Sequence, residues 1–263
     1  MRRFRRIEPD AASRLSALCD DPIVVACAVE AVSASLTVGA GASAADVHAF
    51  LGRVHAAAAA DDDIGEVSLV QRAPDAMTPD PDMSTPRLWS LTAYPGELAD
   101  ADARLTEMLA VAAVPGTFGI TSDAWPHVDI ADIDRFPEVF RAVAALPLFA
   151  NGGSYRLAST DERLRIEHTP AWVTPAFVDD VIGIAAAFPD AEVLLEAPAG
   201  GGEPPALYVS HLAPDEIPVV AQRLNAAPTP VPDSAPGVRI PYTLGTVGTD
   251  GVTYTNGDVG AAP

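Results

Sequence analysis

Two histidines, each at the end of an alternating strand pattern, are the side chains best placed to do chemistry in this sequence. His168 shares the phase of Leu164 and Ile166, and His211 shares that of Val209. Each imidazole is therefore expected to point toward the apolar side of its strand. If the two strands are parallel neighbours, their ends lie together, and the pair can hold a metal ion or haem, or transfer protons. A polar side chain that closes a strand by bonding to a loop is the competing interpretation of each histidine.

The densest group of possible metal ligands precedes a predicted helix. It consists of Asp123, His127, Asp129, Asp132 and Asp134. Hard cations prefer carboxylate oxygens, so Asp123, His127 and Asp129 are weak candidates for a metal site. The spacing matches no calcium loop, and aspartates ahead of a helix are also favoured by the dipole at its N-terminus. Electrostatic capping of the following helix is therefore the alternative.

Tryptophans offer a third kind of site. Trp172 follows His168 closely and is a candidate for lining a ligand pocket with the two histidines. Trp125 and Trp172 are also candidates for anchoring a partner protein, since tryptophan is enriched at the centres of protein interfaces. Either residue can equally belong to a core.

Other catalytic patterns are missing from the sequence. No G-x-S-x-G motif marks a serine nucleophile, and all 16 cationic side chains are arginine, so there is no P-loop lysine. No motif in the sequence indicates a particular cofactor.

Strands and helices follow the same order in both halves of the chain. A leading helix, at 10–32 and again at 134–146, precedes the order strand, helix, strand, strand, helix, strand. In the first half these elements are predicted at 33–38, 44–60, 66–71, 87–93, 97–113 and 117–122. In the second half they are predicted at 162–168, 175–188, 192–196, 206–212, 215–226 and 237–243.

This repetition predicts two tandem α+β pseudo-repeats, each a leading helix plus a ferredoxin-like βαββαβ unit with a mainly antiparallel sheet. The first repeat covers 1–125, with a Pro- and Asp-rich excursion at 73–86, and the second covers 126–245. The tail at 246–263 is either a hairpin or a loose terminus. By element order alone, the duplicated units resemble the dimeric α/β-barrel class. That resemblance implies a small-molecule enzyme or a haem- or metal-binding protein.

Composition excludes several classes of function. A formal net charge of -20 repels phosphate groups and anionic lipids, so neither nucleic acid nor a membrane is expected as a partner. No apolar run reaches the ~18 to 20 residues that cross a bilayer. The arginine-rich start has no apolar segment after it, so export is not expected. Cys19 and Cys27 are too few for a zinc site or a disulfide framework and are expected to be free thiols in the cytoplasm.

These observations lead to two hypotheses. The first is a soluble, non-catalytic protein-binding, adaptor or assembly protein, whose partner is another protein. The alternative is a small-molecule enzyme or a haem- or metal-binding protein of the duplicated ferredoxin-like type, with His168 and His211 in its pocket.

Overall fold

The structure is a computed structural model that describes residues 11–30, 32–58, 65–72, 87–122, 126–150, 153–197, 204–227, 230–248 and 251–260. Within these ranges the protein is α+β, with seven α-helices and twelve strands. The chain forms two compact units, the first of residues 1–112 with 119–124 and the second of residues 113–118 with 125–263. No helix in the described ranges is long and apolar enough to cross a bilayer.

The first unit contains the elements up to residue 122, except that residues 117–118 of its last strand belong to the second unit. They are, in chain order, α1 (Ala11–Ala17), β1 (Val24–Val29), β2 (Ser33–Val38), α2 (Ala44–Ala58), β3 (Glu66–Arg72), β4 (Arg87–Ala93), α3 (Ala101–Ala112) and β5 (Thr117–Ser122). Parallel and antiparallel pairs alternate: β1 is antiparallel to β2, β2 parallel to β3, β3 antiparallel to β4, and β4 parallel to β5. α2 and α3 therefore each connect two parallel strands that are neighbours in the sheet.

The second unit contains the remaining elements. They are β6 (Pro126–Ile130), α4 (Phe136–Ala144), α5 (Pro147–Ala150), β7 (Tyr155–Ser159), β8 (Leu164–His168), α6 (Pro175–Ala187), β9 (Glu192–Glu196), β10 (Ala206–Leu212), α7 (Glu216–Asn225), β11 (Pro241–Gly248) and β12 (Gly251–Asp258). The same alternation holds: β6/β7, β8/β9 and β10/β11 are parallel, while β7/β8, β9/β10 and β11/β12 are antiparallel.

The α+β class is confirmed, but the strand order differs from the expected ferredoxin-like one. In a ferredoxin-like unit the first and third strands of the pattern are neighbours. Here the first, β2 or β8, pairs with the second, β3 or β9, and parallel pairs are as frequent as antiparallel ones. The order of elements is compatible with both arrangements, because either one leaves the helices on one face of a sheet. Only the long-range pairing distinguishes them.

Two helix starts follow directly from local chemistry. At the start of α2, the Ser43 hydroxyl accepts a hydrogen bond from the Asp46 N–H, and the Asp46 carboxylate accepts one from the Ser43 N–H. At the start of α6, the Thr174 hydroxyl accepts from the Phe177 N–H, with proline at the first helical position. Ser43 with Asp46 and Thr174 with Pro175 are residue types typical of helix N-termini, and each cap satisfies a backbone donor that the helix leaves free.

The leading helix of the first half is much shorter than expected. It ends at Ala17, a single 3₁₀ turn follows, and Val24–Val29 form β1 instead of helix. A short apolar run cannot be assigned to helix or strand from periodicity alone, and the β-branched valines here favour a strand. The strand pairs Cys27 with Leu36 of β2.

The same segment overturns the free-thiol expectation. Cys19 and Cys27 form a disulfide, with their Cα atoms 5.5 Å apart. The bond joins the 3₁₀ turn after α1 to β1, because the strand brings Cys27 back beside the turn. The predicted leading helix at 10–32 contains both cysteines and would keep them apart, so the free-thiol prediction is wrong.

The second unit contains two strands that the sequence analysis missed, β6 and β7. They flank α4, which lies where the second leading helix was expected. The tail adopts the hairpin alternative: β12 pairs with β11 from Gly251 opposite Gly248 to Asp258 opposite Pro241. The Pro- and Asp-rich excursion at 73–86 lies outside the described residues.

Candidate functional site

His168 lies in the core of the second unit, with both ring nitrogens already used. Nδ1 is 2.7 Å from the Tyr155 hydroxyl oxygen, and Nε2 is 2.9 Å from the Val173 carbonyl oxygen. The residue is 1% exposed. Both hydrogen-bonding groups of the neutral imidazole are therefore satisfied by the protein, and neither is free to ligate a metal ion.

The surroundings of His168 keep it neutral. Burial lowers the pKa of the imidazole, and the hydrogen bond to the Val173 carbonyl opposes that shift only in part. The rings of Phe140 and Tyr155 meet the imidazole edge-on, with centroids 5.7 Å and 5.1 Å away. Burial also raises the pKa of the Tyr155 hydroxyl. His168 is thus a core residue whose two ring nitrogens are both hydrogen-bonded within the protein.

The His211 side chain points toward solvent and not toward the apolar side of its strand, where it was expected. Its φ is 60°, and the register of β10 against β11 shifts between Val209 and Leu212. This irregularity advances the alternation by one residue, so Leu212 is buried and the His211 side chain is 49% exposed. Its Nδ1 lies 3.5 Å from Glu192 Oε1.

The two histidines are not brought together. β9 lies between their strands, parallel to β8 and antiparallel to β10. The C-terminal end of β8 therefore lies at the Glu196 end of β9, whereas the C-terminal end of β10 lies at the Glu192 end. About five or six residues at ~3.3 Å each separate these two ends of the sheet. The expected shared pocket depended on the ferredoxin-like strand order and does not form.

The other sequence candidates are dispersed. Trp172 is half-buried in the turn that leads from β8 to α6, where its backbone N–H donates to the Thr169 carbonyl. His127 and Asp129 lie on the outer side of β6, opposite Arg156 and Ala158 of β7. Trp125 and Asp123 lie outside the described residues. Among the residues that are described, no group of three or more His, Cys, Asp or Glu side chains is placed to hold a metal ion.

Within the described residues, helices pack against one face of the sheet of the second unit. α6 packs on β8 and β9, and α7 packs on β11 and β12. Tyr242 belongs to the helix side, because its hydroxyl donates to Asn225 of α7 at 3.1 Å. The opposite side chains form a row across five strands, which we call the open face: Arg165, Leu194, Tyr208, Thr243 and Asn256.

A shallow pocket of about 290 Å³ lies on this open face. Its lining includes Glu162, Arg165, Glu192, Leu194, Tyr208 and Ser210. The Nε atom of Arg165 is shielded from solvent and has no hydrogen-bond partner. The sequence does carry a signal for this arrangement, because Arg165 alternates with the buried Leu164 and Ile166 and must point to the other face.

No protein-family model matches this chain, and neither does a curated protein or a solved structure. The function must therefore follow from the geometry of the two units themselves.

The edge strand β12 is the most exposed regular element of the second unit. It pairs with β11 on one side and with no other described strand. Val252 is 55% exposed and Tyr254 is 64% exposed. The stretch from Gly251 to Gly257 contains no charged residue and no proline. Protein edges usually carry a charge, a proline or a bulge that blocks further pairing, so β12 is open to another strand.

The free backbone groups of β12 can be assigned from its register. The Val259 N–H donates to the Ile240 carbonyl at 2.9 Å, which makes this a hydrogen-bonded pair. Hydrogen-bonded and non-hydrogen-bonded pairs alternate along an antiparallel ladder. Val252, Tyr254 and Asn256 are therefore non-hydrogen-bonded positions, and their N–H and C=O groups point away from β11.

Proposed function

We propose that this protein is a non-catalytic adaptor or assembly protein that binds an extended segment of a partner protein as an additional strand beside β12. The observation that carries the proposal is the uncharged edge of β12, with Val252 and Tyr254 exposed. Strand addition of this kind gains affinity from main-chain hydrogen bonds and specificity from pockets for alternate side chains.

The negative net charge of the chain favours one kind of partner over others. At a net charge of -20, a second copy of this protein would be repelled as it approached. A partner segment rich in arginine or lysine would be attracted, and the association would slow as salt concentration rises. We therefore propose a basic protein segment as the occupant, rather than a nucleic acid, a membrane or a homodimer.

The alternative function receives no support from the geometry. A haem- or metal-binding enzyme of the ferredoxin-like type needs His168 and His211 in one pocket, and they lie at opposite ends of β9. A cytoplasmic location stays a prediction. The disulfide between Cys19 and Cys27 weighs against it, since such bonds persist mainly in oxidising compartments.

Selection of a random-peptide display library on the full-length protein tests the proposal. The edge variant is Tyr254→Pro, which removes an N–H that points away from β11 and leaves the pairing with β11 intact. The matched control is Tyr254→Thr, which shortens the side chain and keeps the N–H. We expect enriched peptides to alternate β-branched with basic residues, and to bind Tyr254→Pro about tenfold more weakly than Tyr254→Thr.

Two outcomes contradict the proposal. One is that no peptide is enriched over an unrelated acidic protein. The other is that the enriched peptides bind Tyr254→Pro as well as they bind the unaltered protein, while the variant keeps its unfolding midpoint. If Trp172→Ala alone abolishes their binding, the partner surface lies at the turn after β8, and strand addition is wrong.

A further inference from the structure

Arg165 is a charged side chain with unused hydrogen-bond donors. It is half-buried near the start of β8, and its Nε atom is shielded from solvent without an acceptor among the described residues. It forms no hydrogen bond or ion pair with any described residue. A guanidinium group presents five N–H donors in a planar fork, and a shielded donor without an acceptor is costly. The two Nη atoms are not shielded in this way and form no hydrogen bond with a described residue, so they can donate to an acceptor supplied from outside.

Of the two carboxylates that share the pocket, Glu162 is paired with another arginine, and Glu192 faces a histidine that carries a charge only if it is protonated. Both carboxylate oxygens of Glu162 accept hydrogen bonds from Arg156, at 3.2 Å and 3.1 Å. Glu192 Oε1 lies 3.5 Å from His211 Nδ1. Arg165 is the cation that lines this pocket, and it forms no ion pair with a described residue.

The rest of the lining favours an organic body next to an anionic group. Tyr208 is 42% exposed and lies opposite Leu194 on the neighbouring strand. Leu194 in turn lies opposite Arg165. An aromatic ring and an aliphatic side chain beside one guanidinium are the usual composition of a pocket that orients a small ligand by one polar contact.

The backbone beside the pocket is unusual as well. Glu162 has a φ of 59° and His211 a φ of 60°, the two non-glycine residues with left-handed φ in the described ranges. Glu162 lines the pocket, and His211 directly follows Ser210, which also lines it. Such conformations are uncommon and cluster where a protein holds a ligand.

We infer that this pocket binds a carboxylate. The carboxylate accepts hydrogen bonds from the Arg165 guanidinium, and its carbon body packs on Tyr208 and Leu194. Arginine is the side chain best matched to a carboxylate, because two parallel N–H groups meet its two oxygens. The site goes beyond the strand addition at β12 and does not depend on it. Its carboxylate can come from a free organic acid or from the C-terminus of a polypeptide.

Isothermal titration calorimetry of the full-length protein tests this site with three probes. Benzoate represents a free acid, N-acetylphenylalanine represents a chain terminus, and N-acetylphenylalanine amide lacks the charge. The titrations use moderate salt, which screens the net charge of the protein. We expect at least one acid to bind and the amide not to bind. Tighter binding of benzoate indicates a free organic acid, and tighter binding of N-acetylphenylalanine indicates a polypeptide terminus.

Variants of the pocket make the test specific. Arg165→Gln should weaken the acid about tenfold or more, since it removes a charge-assisted pair of hydrogen bonds. The matched control is Arg141→Gln, whose side chain is 68% exposed on α4 of the same unit, and it should bind the acid unchanged. Tyr208→Ala alters an exposed ring and should also weaken binding, which covers the case in which Arg165→Gln fails to fold.

The inference is wrong if neither acid binds, if the amide binds as tightly as its acid, or if folded Arg165→Gln keeps the affinity of the unaltered protein. When Arg165→Gln does not fold, unchanged binding by Tyr208→Ala overturns it. None of these results bears on the peptides selected at β12, so the two proposals fail separately.

Discussion

Tyr155 donates a hydrogen bond from its hydroxyl group to Nδ1 of His168 across 2.7 Å in the core of the second unit. The direction follows from the other ring nitrogen. Nε2 faces the Val173 carbonyl, which can only accept, so Nε2 carries the proton and Nδ1 is the acceptor. His168 is thereby held as one neutral tautomer.

This arrangement predicts a loss of stability in mild acid. Burial lowers the pKa of His168 in the folded state. Below the ordinary histidine pKa of about 6.5, the unfolded chain therefore binds a proton at this residue, whereas the folded chain does not until the pH reaches the lower folded pKa. The free energy of unfolding should therefore fall from about pH 6.5 down to the folded pKa, by at most ~1.4 kcal/mol per pH unit, and the His168 contribution should then level off. Urea unfolding at several pH values between neutral and mildly acidic measures this slope.

Two variants identify His168 as the source of that slope. His168→Gln should reduce the slope, whereas His211→Gln, at an exposed histidine, should leave it unchanged. An unaltered slope in His168→Gln would show that other groups cause the acid sensitivity.

Gln71 links three strands of the first unit, and its removal should be costly. Its side-chain oxygen accepts from Trp89 Nε1 at 2.6 Å, and its amide donates to the Gly39 carbonyl at 2.9 Å. Trp89 is fully buried. Gln71→Leu leaves the Trp89 N–H without an acceptor, while the Gly39 carbonyl still accepts from the Ala42 N–H, and we expect a loss of about 2 kcal/mol in urea unfolding.

A double-mutant cycle separates this hydrogen bond from general packing. Trp89→Phe removes the indole N–H that Gln71→Leu would leave without an acceptor. The double variant should therefore lose less free energy of unfolding than the sum of the two single losses. Additive losses would mean that the bond between Gln71 and Trp89 contributes nothing.

The Tyr242 ring lies so close to Gly257 that it leaves no room for a side chain at that position. It is opposite Tyr242 across the hairpin, and a Cβ at Gly257 would overlap the Tyr242 ring. Gly257→Ala must displace that ring and break its hydrogen bond to Asn225. We expect a loss of about 1–3 kcal/mol in thermal or urea unfolding.

Gly245 in the same hairpin provides the control. A Cβ there would meet the Tyr254 ring at 3.4 Å, an ordinary contact, so Gly245→Ala should cost much less. Equal losses in the two variants would show that a general effect of glycine in strands, and not the Tyr242 ring, limits position 257.

The disulfide between Cys19 and Cys27 predicts resistance to alkylation. The unreduced protein should gain no mass when treated with iodoacetamide under denaturing conditions, and the reduced protein should gain two adducts. Loss of the bond by Cys27→Ser should cost about 2–3 kcal/mol, the loop-closure estimate for a separation of 8 residues. Two adducts without reductant would contradict the disulfide.

Several features follow from the sequence because they depend on near neighbours in the chain. Ser43 and Asp46 cap α2 three residues apart, and the alternation around Arg165 predicts a strand with one buried face. The order strand, helix, strand, strand, helix, strand in both halves follows from the same short-range patterns, whereas β6 and β7 do not. β1 was missed because Val24–Val29 is a short apolar run that fits a helix or a strand equally well.

The tertiary structure decided which of these elements are neighbours. The sequence contains nothing local that tells β8 to pair with β9 instead of β10, yet this choice places His168 and His211 at opposite ends of the sheet. One bulge in β10 then turns His211 outward. Strand pairing joins residues that are distant in the chain, and its energy is shared among many backbone hydrogen bonds and core contacts. The sequence by itself therefore determined the helix caps and most of the helices and strands, but not β1, β6 or β7, and only the assembled sheet determined which side chains can meet at a site.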